Sequence, residues 1–191
     1  MPTALEVLAE EASTCTRCKL SGLGRSQVVF GMGDPHAGLM FVGEGPGAEE
    51  DKQGLPFVGR SGQLLDKLML EELGVTRDRV FIANVVKCRP PGNRDPEPDE
   101  IETCRPWLEQ QLALIEPKVV VTLGNFATKL LLETKEGITR LRGKQYPFRG
   151  GVLIPTFHPA AVLRGGGEPL AQMRADLVRA KQALAAAGVP A

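Results

Sequence analysis

Aromatic side chains are scarce in this chain, 5% of 191 residues with a single Trp and a single Tyr, so any aromatic outside the core carries weight. Histidine is scarcer still, with two residues, His36 and His158. No apolar run approaches the ~20 residues a bilayer-spanning helix requires. Net charge is lacking as well: 23 Lys plus Arg balance 23 Asp plus Glu. That excludes a uniformly basic nucleic-acid coat while leaving room for a local basic face. The first eleven residues show no basic segment followed by an apolar core, so a secretory leader is not expected and a cytoplasmic location is. The remaining composition, 42% hydrophobic and 24% charged, is that of a globular protein, and the length suits one domain over 1–191. Gly and Pro are plentiful, 22 and 15 residues, which implies many turns.

Hydrophobic spacing predicts a short amphipathic helix over 3–13, from Leu5, Leu8 and Ala12. A short strand is expected at Val28–Phe30, ahead of a turn over residues 31–35. Continuous apolar runs predict buried strands at Leu39–Val42, Val80–Ala83, Val119–Leu123 and Val152–Pro155. Helices are expected between and after them, at 61–73 (closed by Gly74), 99–115, 127–132 and 170–186, and the run Gly165–Gly167 looks flexible. Apolar strands alternating with helices imply a parallel sheet covered on both faces. In such sheets ligands bind beyond the carboxyl ends of the strands. Those ends carry Gly43-Glu44-Gly45-Pro46-Gly47, Asn84, Gly124-Asn125 and Phe157-His158-Pro159.

The glycine segment is not a dinucleotide fingerprint, because position 48 is Ala where the third glycine belongs. Nor is it a phosphate loop: Pro46 removes an amide, no Gly-Lys-Ser/Thr follows, and Glu49-Glu50-Asp51 would repel phosphate. It is a loop whose backbone another group can approach closely.

Four cysteines leave none unpaired for a shared site. Cys15 and Cys18 form a C-x-x-C pair, and Cys88 and Cys104 lie far downstream. In a reducing compartment this pattern points to a four-thiolate metal site. The spacing does not decide between zinc and a [4Fe–4S] cluster.

Taken together, Gly43 through Asp51, Pro56-Phe57-Val58-Gly59, Asn84 through Arg94, and Phe157-His158-Pro159, in this order and with the four cysteines, strongly resemble the family-four uracil-DNA glycosylases. The resemblance covers essentially the whole chain from Cys15 to the last helix. It implies an α/β/α sandwich around a central four-stranded parallel sheet, and a [4Fe–4S] cluster held by Cys15, Cys18, Cys88 and Cys104. The chain departs from the family pattern at Ala48 and Ala160.

The implied activity is hydrolysis of the N-glycosidic bond of a flipped-out uracil in DNA, leaving an abasic site. The pocket needs a stacking face, a reader of the base edge and a stabiliser of the leaving anion. Phe57 is the expected face. Asn84 can accept from uracil N3–H and donate to O4, the reverse of what cytosine offers. His158 can donate to O2, where negative charge develops. Amides around Gly43, Glu44 and Gly45 add donors to the base. Where better-known superfamily members carry an aspartate this chain has Gly45, so water orientation falls to Glu44, Glu50 or Asn93, with Glu50 and Asn93 favoured. His36, in an Asp-Pro-His turn, is expected to be exposed and idle.

For DNA contact, residues 139–149 carry Arg140, Arg142, Lys144 and Arg149 without an acid. Val162-Leu163-Arg164 offers an apolar wedge followed by a phosphate contact. A monomer acting on uracil-containing DNA is expected, with no membrane partner. Two other classes remain: a metal-stapled nucleic-acid-binding module, which would not need Asn84 and His158, and a dithiol redox protein, which would leave Cys88 and Cys104 unexplained.

Overall fold

The computed structural model describes residues 1–190. Six strands occur: β1 (Met32–Gly33), β2 (Leu39–Gly43), β3 (Phe81–Asn84), β4 (Val119–Leu123), β5 (Tyr146–Phe148) and β6 (Gly151–Thr156). Eight α-helices accompany them: α1 (Ala4–Ser13), α2 (Ala48–Gln53), α3 (Arg60–Leu68), α4 (Pro98–Ile115), α5 (Asn125–Leu132), α6 (Ile138–Leu141), α7 (Pro159–Gly165) and α8 (Gly167–Ala186). The strands form one sheet in the order β1-β3-β2-β4-β6-β5.

The sheet is mixed and six-stranded, which corrects the expected count of four. Register pairing is parallel from β3 to β2, β2 to β4 and β4 to β6, and antiparallel for the edge strands β1 and β5. Both edge strands are too short to give a periodic signal. Val28–Phe30 is not a strand; Val29 makes one bond to the Lys87 carbonyl at 2.7 Å. The pairing falls instead to Met32–Gly33, because Gly33 at φ +131° lets the backbones meet: a Cβ there would lie 1.8 Å from the Val80 carbonyl.

Strand alternation distributes the core to two faces. Met40 and Val42, with Phe81, Ala83, Val120 and Leu153, pack against Leu8 of α1, Trp107, Leu108 and Leu112 of α4, and Ala127 of α5. Leu39 and Phe41, with Ile82, Val119, Val121 and Ile154, pack against Leu65 and Leu68 of α3 and Leu177, Ala180 and Leu184 of α8. Both faces are thus apolar, which is why the strands read as continuous hydrophobic runs.

The predicted helix over 61–73 is α3 followed by one π turn, Met69–Leu73, ended by Gly74 at φ +72°. Glu97 caps α4 through a reciprocal capping box with Glu100. The Gly165–Gly167 run is not a loose tract. Gly165 ends α7, Gly166 turns at φ +77°, and Gly167 opens α8.

Chain order reverses across β2: β3 lies on one side and β4 on the other. A crevice therefore opens beyond the carboxyl ends of these strands, where such sheets bind ligands.

Candidate active site

A hollow of about 410 Å³ occupies that crevice. Its lining includes Glu44, Gly45, Glu50, Phe57, Asn84, Asn93, His158 and Arg164. Every expected base-contacting side chain is therefore brought to one place. Gly124-Asn125, also named at the rim, is not in the lining. The Asn125 Oδ1 accepts from the Ile138 amide at 2.8 Å and caps α6, while Gly124 packs on His158, where a Cβ would come within 3.0 Å of the His158 Cβ.

Asn84 ends β3, is 1% exposed, and its Oδ1 has no hydrogen-bond partner among the described residues. A buried acceptor left open costs free energy unless a ligand supplies the donor. Gly43 faces it: a Cβ there would meet Phe57 Cζ at 2.4 Å and Asn84 Oδ1 at 2.6 Å. Only a residue without a side chain lets the ring and the carboxamide share this wall.

Phe57 sits between α2 and α3 with φ +52°, a conformation that L residues adopt only when held. Several groups hold it. Glu50 Oε1 accepts from the amides of Val58 at 3.0 Å and Gly59 at 2.9 Å. The Arg77 guanidinium donates to the carbonyls of Pro56, at 2.7 Å, and Phe57. Gly62 lets α3 abut the Phe57 carbonyl, which a Cβ would overlap. Arg77 supports the Phe57 loop from a distance that the sequence does not flag, since a lone Arg twenty residues downstream carries no local signal. Phe57 and His158 rings lie 5.6 Å apart at 32°, forming adjoining walls.

His158 caps the N-terminus of α7: its Nδ1 accepts from the Ala160 amide at 3.1 Å. The lone pair on Nδ1 is thereby used, so the neutral ring carries its proton on Nε2 and presents a donor. Burial, aided by the charge of Arg164 and opposed by Glu50, lowers its pKa to about 4. Across neutral pH the ring is an uncharged donor. Glu44 behaves oppositely. Burial, and then the charge of Asp95, raise its pKa to about 7.

Asn93 is exposed on the rim at φ +55° and its Oδ1 accepts from Arg89 Nε at 2.6 Å. Asp51 does not belong to an anion-repelling run. It is buried, and its carboxylate accepts from the Ser26 amide at 2.9 Å and 3.0 Å. His36 is exposed, as expected.

The uracil DNA glycosylase superfamily profile matches residues 30–184. The chain is 49% identical over 168 residues to the type-4 uracil-DNA glycosylase of Sulfurisphaera tokodaii, covering 84% of this chain and 76% of that one. It is 45% identical over 180 residues to the type-4 uracil-DNA glycosylase of Thermotoga maritima, covering 93% of each. The chain belongs to the uracil DNA glycosylase superfamily. The type-5 enzyme of Thermus thermophilus is more distant within it, at 33% identity over 141 residues.

The DNA-contact expectations for this superfamily member fare unevenly. Arg142 is turned inward and is corrected here: its Nε and Nη2 grip the fully buried Asp176 at 2.9 Å and 2.8 Å, and Asp176 also accepts from Thr156 Oγ1 at 2.8 Å. The same guanidinium lies over the Phe157 ring at 5.6 Å. Arg142 thus braces the strand end before His158 instead of facing solvent. Arg149 is engaged by Glu109. Arg140 and Lys144 are exposed and form no ion pair among the described residues. On α7, Val162 is buried, so any wedge consists of Leu163, 45% exposed, with exposed Arg164 beside it at the mouth of the hollow.

The superfamily member's four cysteines are all free, with Cys15 and Cys18 half-buried and Cys88 and Cys104 buried. They line one second hollow together with Arg17 and Trp107. Two N–H donors point at sulfur: Arg25 Nη1 to Cys88 at 3.4 Å and the Lys87 amide to Cys104 at 3.3 Å. Burial pushes the Cys88 thiol up to about 12 and raises Cys104 as well, so without a cation these sulfurs stay protonated. Among the described residues, no group of three or more His, Cys, Asp or Glu side chains is arranged to hold a single metal ion.

Proposed function

We infer that this chain removes uracil from DNA by hydrolysing its N-glycosidic bond, leaving an abasic site. The observation that carries the reading is the orphaned, buried Oδ1 of Asn84 in a hollow walled by Phe57 and His158. A uracil flipped out of the stack brings the missing donor, N3–H, while the Asn84 amide donates to O4. Cytosine presents an acceptor at N3, which would face the Asn84 carbonyl and leave it unpaired. The face of Phe57 stacks on the base. Backbone at Gly43, Glu44 and Gly45 approaches it edge-on.

Bond breaking leaves positive character on the sugar and negative charge on the departing base. The Nε2–H of His158 is aimed by the Ala160 amide on its other nitrogen, so donation to O2 needs no reorganisation at the moment of reaction. Water is oriented by Asn93 at the rim and by the second carboxylate oxygen of Glu50, whose first oxygen is committed to the Phe57 loop. A dissociative reaction asks little more of its nucleophile. Arg164 lines the mouth and Lys144 and Leu163 are exposed, and these three are the DNA contacts of this reading; Arg142 is not among them.

Cys15, Cys18, Cys88 and Cys104 line the second hollow together and are the residues that would hold a [4Fe–4S] cluster; four thiolates suit zinc as well, and metal analysis with the visible spectrum separates the two. A cluster there would supply the charge that keeps these sulfurs as thiolates, and its four ligands would tie the segment after α1 to the loop before α4 and to α4 itself. Four cysteines outside disulfides suit a reducing, cytoplasmic setting, and the reading takes the chain as one monomeric domain.

The reading is tested with a duplex oligonucleotide carrying one U:G pair. Free uracil and an alkali-labile abasic site are expected, without strand cleavage by the protein. Binding with no uracil release would return the chain to the class of non-catalytic modules. A cluster further predicts broad visible absorption that bleaches on oxidation; a colourless protein holding zinc would remove it.

The pH dependence is assigned by the two titrating walls. His158, with its pKa lowered to about 4, stays neutral from pH 8 down past 5 and produces no break near its ordinary 6.5. Glu44 gains charge as pH rises through about 7, beside Asp95 at the mouth that must admit a polyanion. DNA affinity therefore weakens as pH rises through 7, and Glu44→Gln flattens that limb. For stability the signs differ. The depressed His158 pKa contributes stability above 6.5 that is lost as pH falls toward 4, and the raised Glu44 pKa contributes stability below 4.5 that is lost as pH rises through 7.

A further inference from the structure

Lys87 is a charged side chain with no place in the chemistry above, yet it is 1% exposed and among the largest fully buried side chains of the protein. Burying an ammonium is costly unless its protons are taken up. Here its Nζ donates to the Asn84 backbone carbonyl at 2.8 Å and to Gln111 Oε1 at 2.6 Å. Gln111, on α4 and 0% exposed, donates in turn to the Phe30 carbonyl at 2.8 Å. The Lys87 amide points the other way, to Cys104 Sγ at 3.3 Å. One residue thus touches the peptide of the base reader with its side chain and a cysteine of the second hollow with its backbone.

We propose that Lys87, supported by Gln111, is a positioning residue for base recognition: its buried ammonium pins the Asn84 backbone carbonyl so that the unpartnered side-chain Oδ1 of Asn84 points into the hollow. This rests on Asn84 being the base reader. The physical need is plain from the position. Asn84 is the last residue of β3, where the ladder stops restraining the chain. The amides of Val85 and Val86 bond to the carbonyls of Gly43 and Glu44, which holds the following segment. The Asn84 backbone carbonyl, beyond them, takes the Lys87 ammonium. A neutral acceptor-only contact could not hold a carbonyl, so a donor must reach it from the interior. A lysine three residues on, braced by a glutamine from α4, supplies that donor without entering the pocket.

The experiment is a double-mutant cycle on the protein with its metal content and visible absorption verified in every variant. Lys87→Met and Gln111→Leu are each combined with Asn84→Ala and with His158→Ala. Excision of uracil from a U:G duplex and calorimetric affinity for free uracil are both measured. A displacement of the reader of about 1 Å costs on the order of 100-fold, so each single variant is expected to lose roughly that in kcat/KM. Free uracil should bind roughly tenfold more weakly, by the same reasoning. These losses should vanish on the Asn84→Ala background and persist in full on the His158→Ala background.

Gln111→Glu separates positioning from simple packing. It keeps the oxygen that receives Lys87 but cannot donate to the Phe30 carbonyl, so it should retain uracil affinity where Gln111→Leu does not. Full losses on the Asn84→Ala background would overturn the proposal, as would equal damage from Gln111→Glu and Gln111→Leu. If Asn84→Ala alone keeps full activity, the base-reader assignment falls and this inference with it. A damaging Asn84→Ala beside a harmless Lys87→Met would remove only the role of Lys87.

Discussion

His158→Ala will lower kcat for uracil excision by on the order of 10²–10³, about 3–4 kcal/mol of transition-state stabilisation, the value of one donor to a developing oxyanion. The effect should fall on kcat more than on KM. The imidazole donates to a charge that exists only as the bond breaks, and the ground-state base is held chiefly by Asn84 and Phe57. The neutral ring is a better choice than an imidazolium here. Its proton is fixed on Nε2 by the Ala160 amide at Nδ1, and burial keeps the ring uncharged above about pH 4. His158→Asn retains a donor of different reach and should recover part of the loss. Single-turnover rates on U:G duplexes decide the matter. An unchanged rate in His158→Ala would mean that the anion is stabilised elsewhere.

Asp176→Ala will be among the most destabilising single substitutions, by about 3–5 kcal/mol, the cost of leaving a buried charge without its partner. Asp176 is 0% exposed and receives two guanidinium bonds from Arg142 and one from Thr156. For a domain of this size the loss corresponds to a fall in Tm on the order of 10 °C. The double variant Arg142→Met with Asp176→Leu removes both charges and should recover much of it, because the pair offsets its own desolvation more than it adds net stability. Thermal unfolding of the single and double variants checks this. Equal destabilisation by both would show that Thr156 and the packing, not the charge, need Asp176. Arg142→Met alone should likewise lower Tm, whereas an arginine on an exposed strip could be replaced with little change.

Much of the site was legible because its residues sit at strand ends. Continuous runs such as Leu39–Val42 and Val119–Leu123 announce buried parallel strands, and the residue that follows each run must lie at the same rim. Asn84, His158 and the glycine loop therefore belong to one rim on the sequence alone. Phe57 lies on a loop between two helices, and its position depends on Glu50 and Arg77 reaching it from other elements. Glu50 illustrates the limit: an acid in the first turn of a helix reads as a solvated group or a base, and the contacts that commit one of its oxygens to two amides come from residues eight and nine positions away.

By itself, then, the order of residues determined the four central strands, the rim their ends share and the grouping of the four cysteines, because apolar runs and spacing are local properties of the chain; the short edge strands β1 and β5 carry no such signal. It could not determine where a long, flexible cation ends up. Arg142 and Lys87 are written like surface charges, and only the folded packing sends one to Asp176 and the other beneath Asn84. The reason is that a buried ion is tolerated solely where partners distant in sequence converge on it, and that convergence exists only in three dimensions.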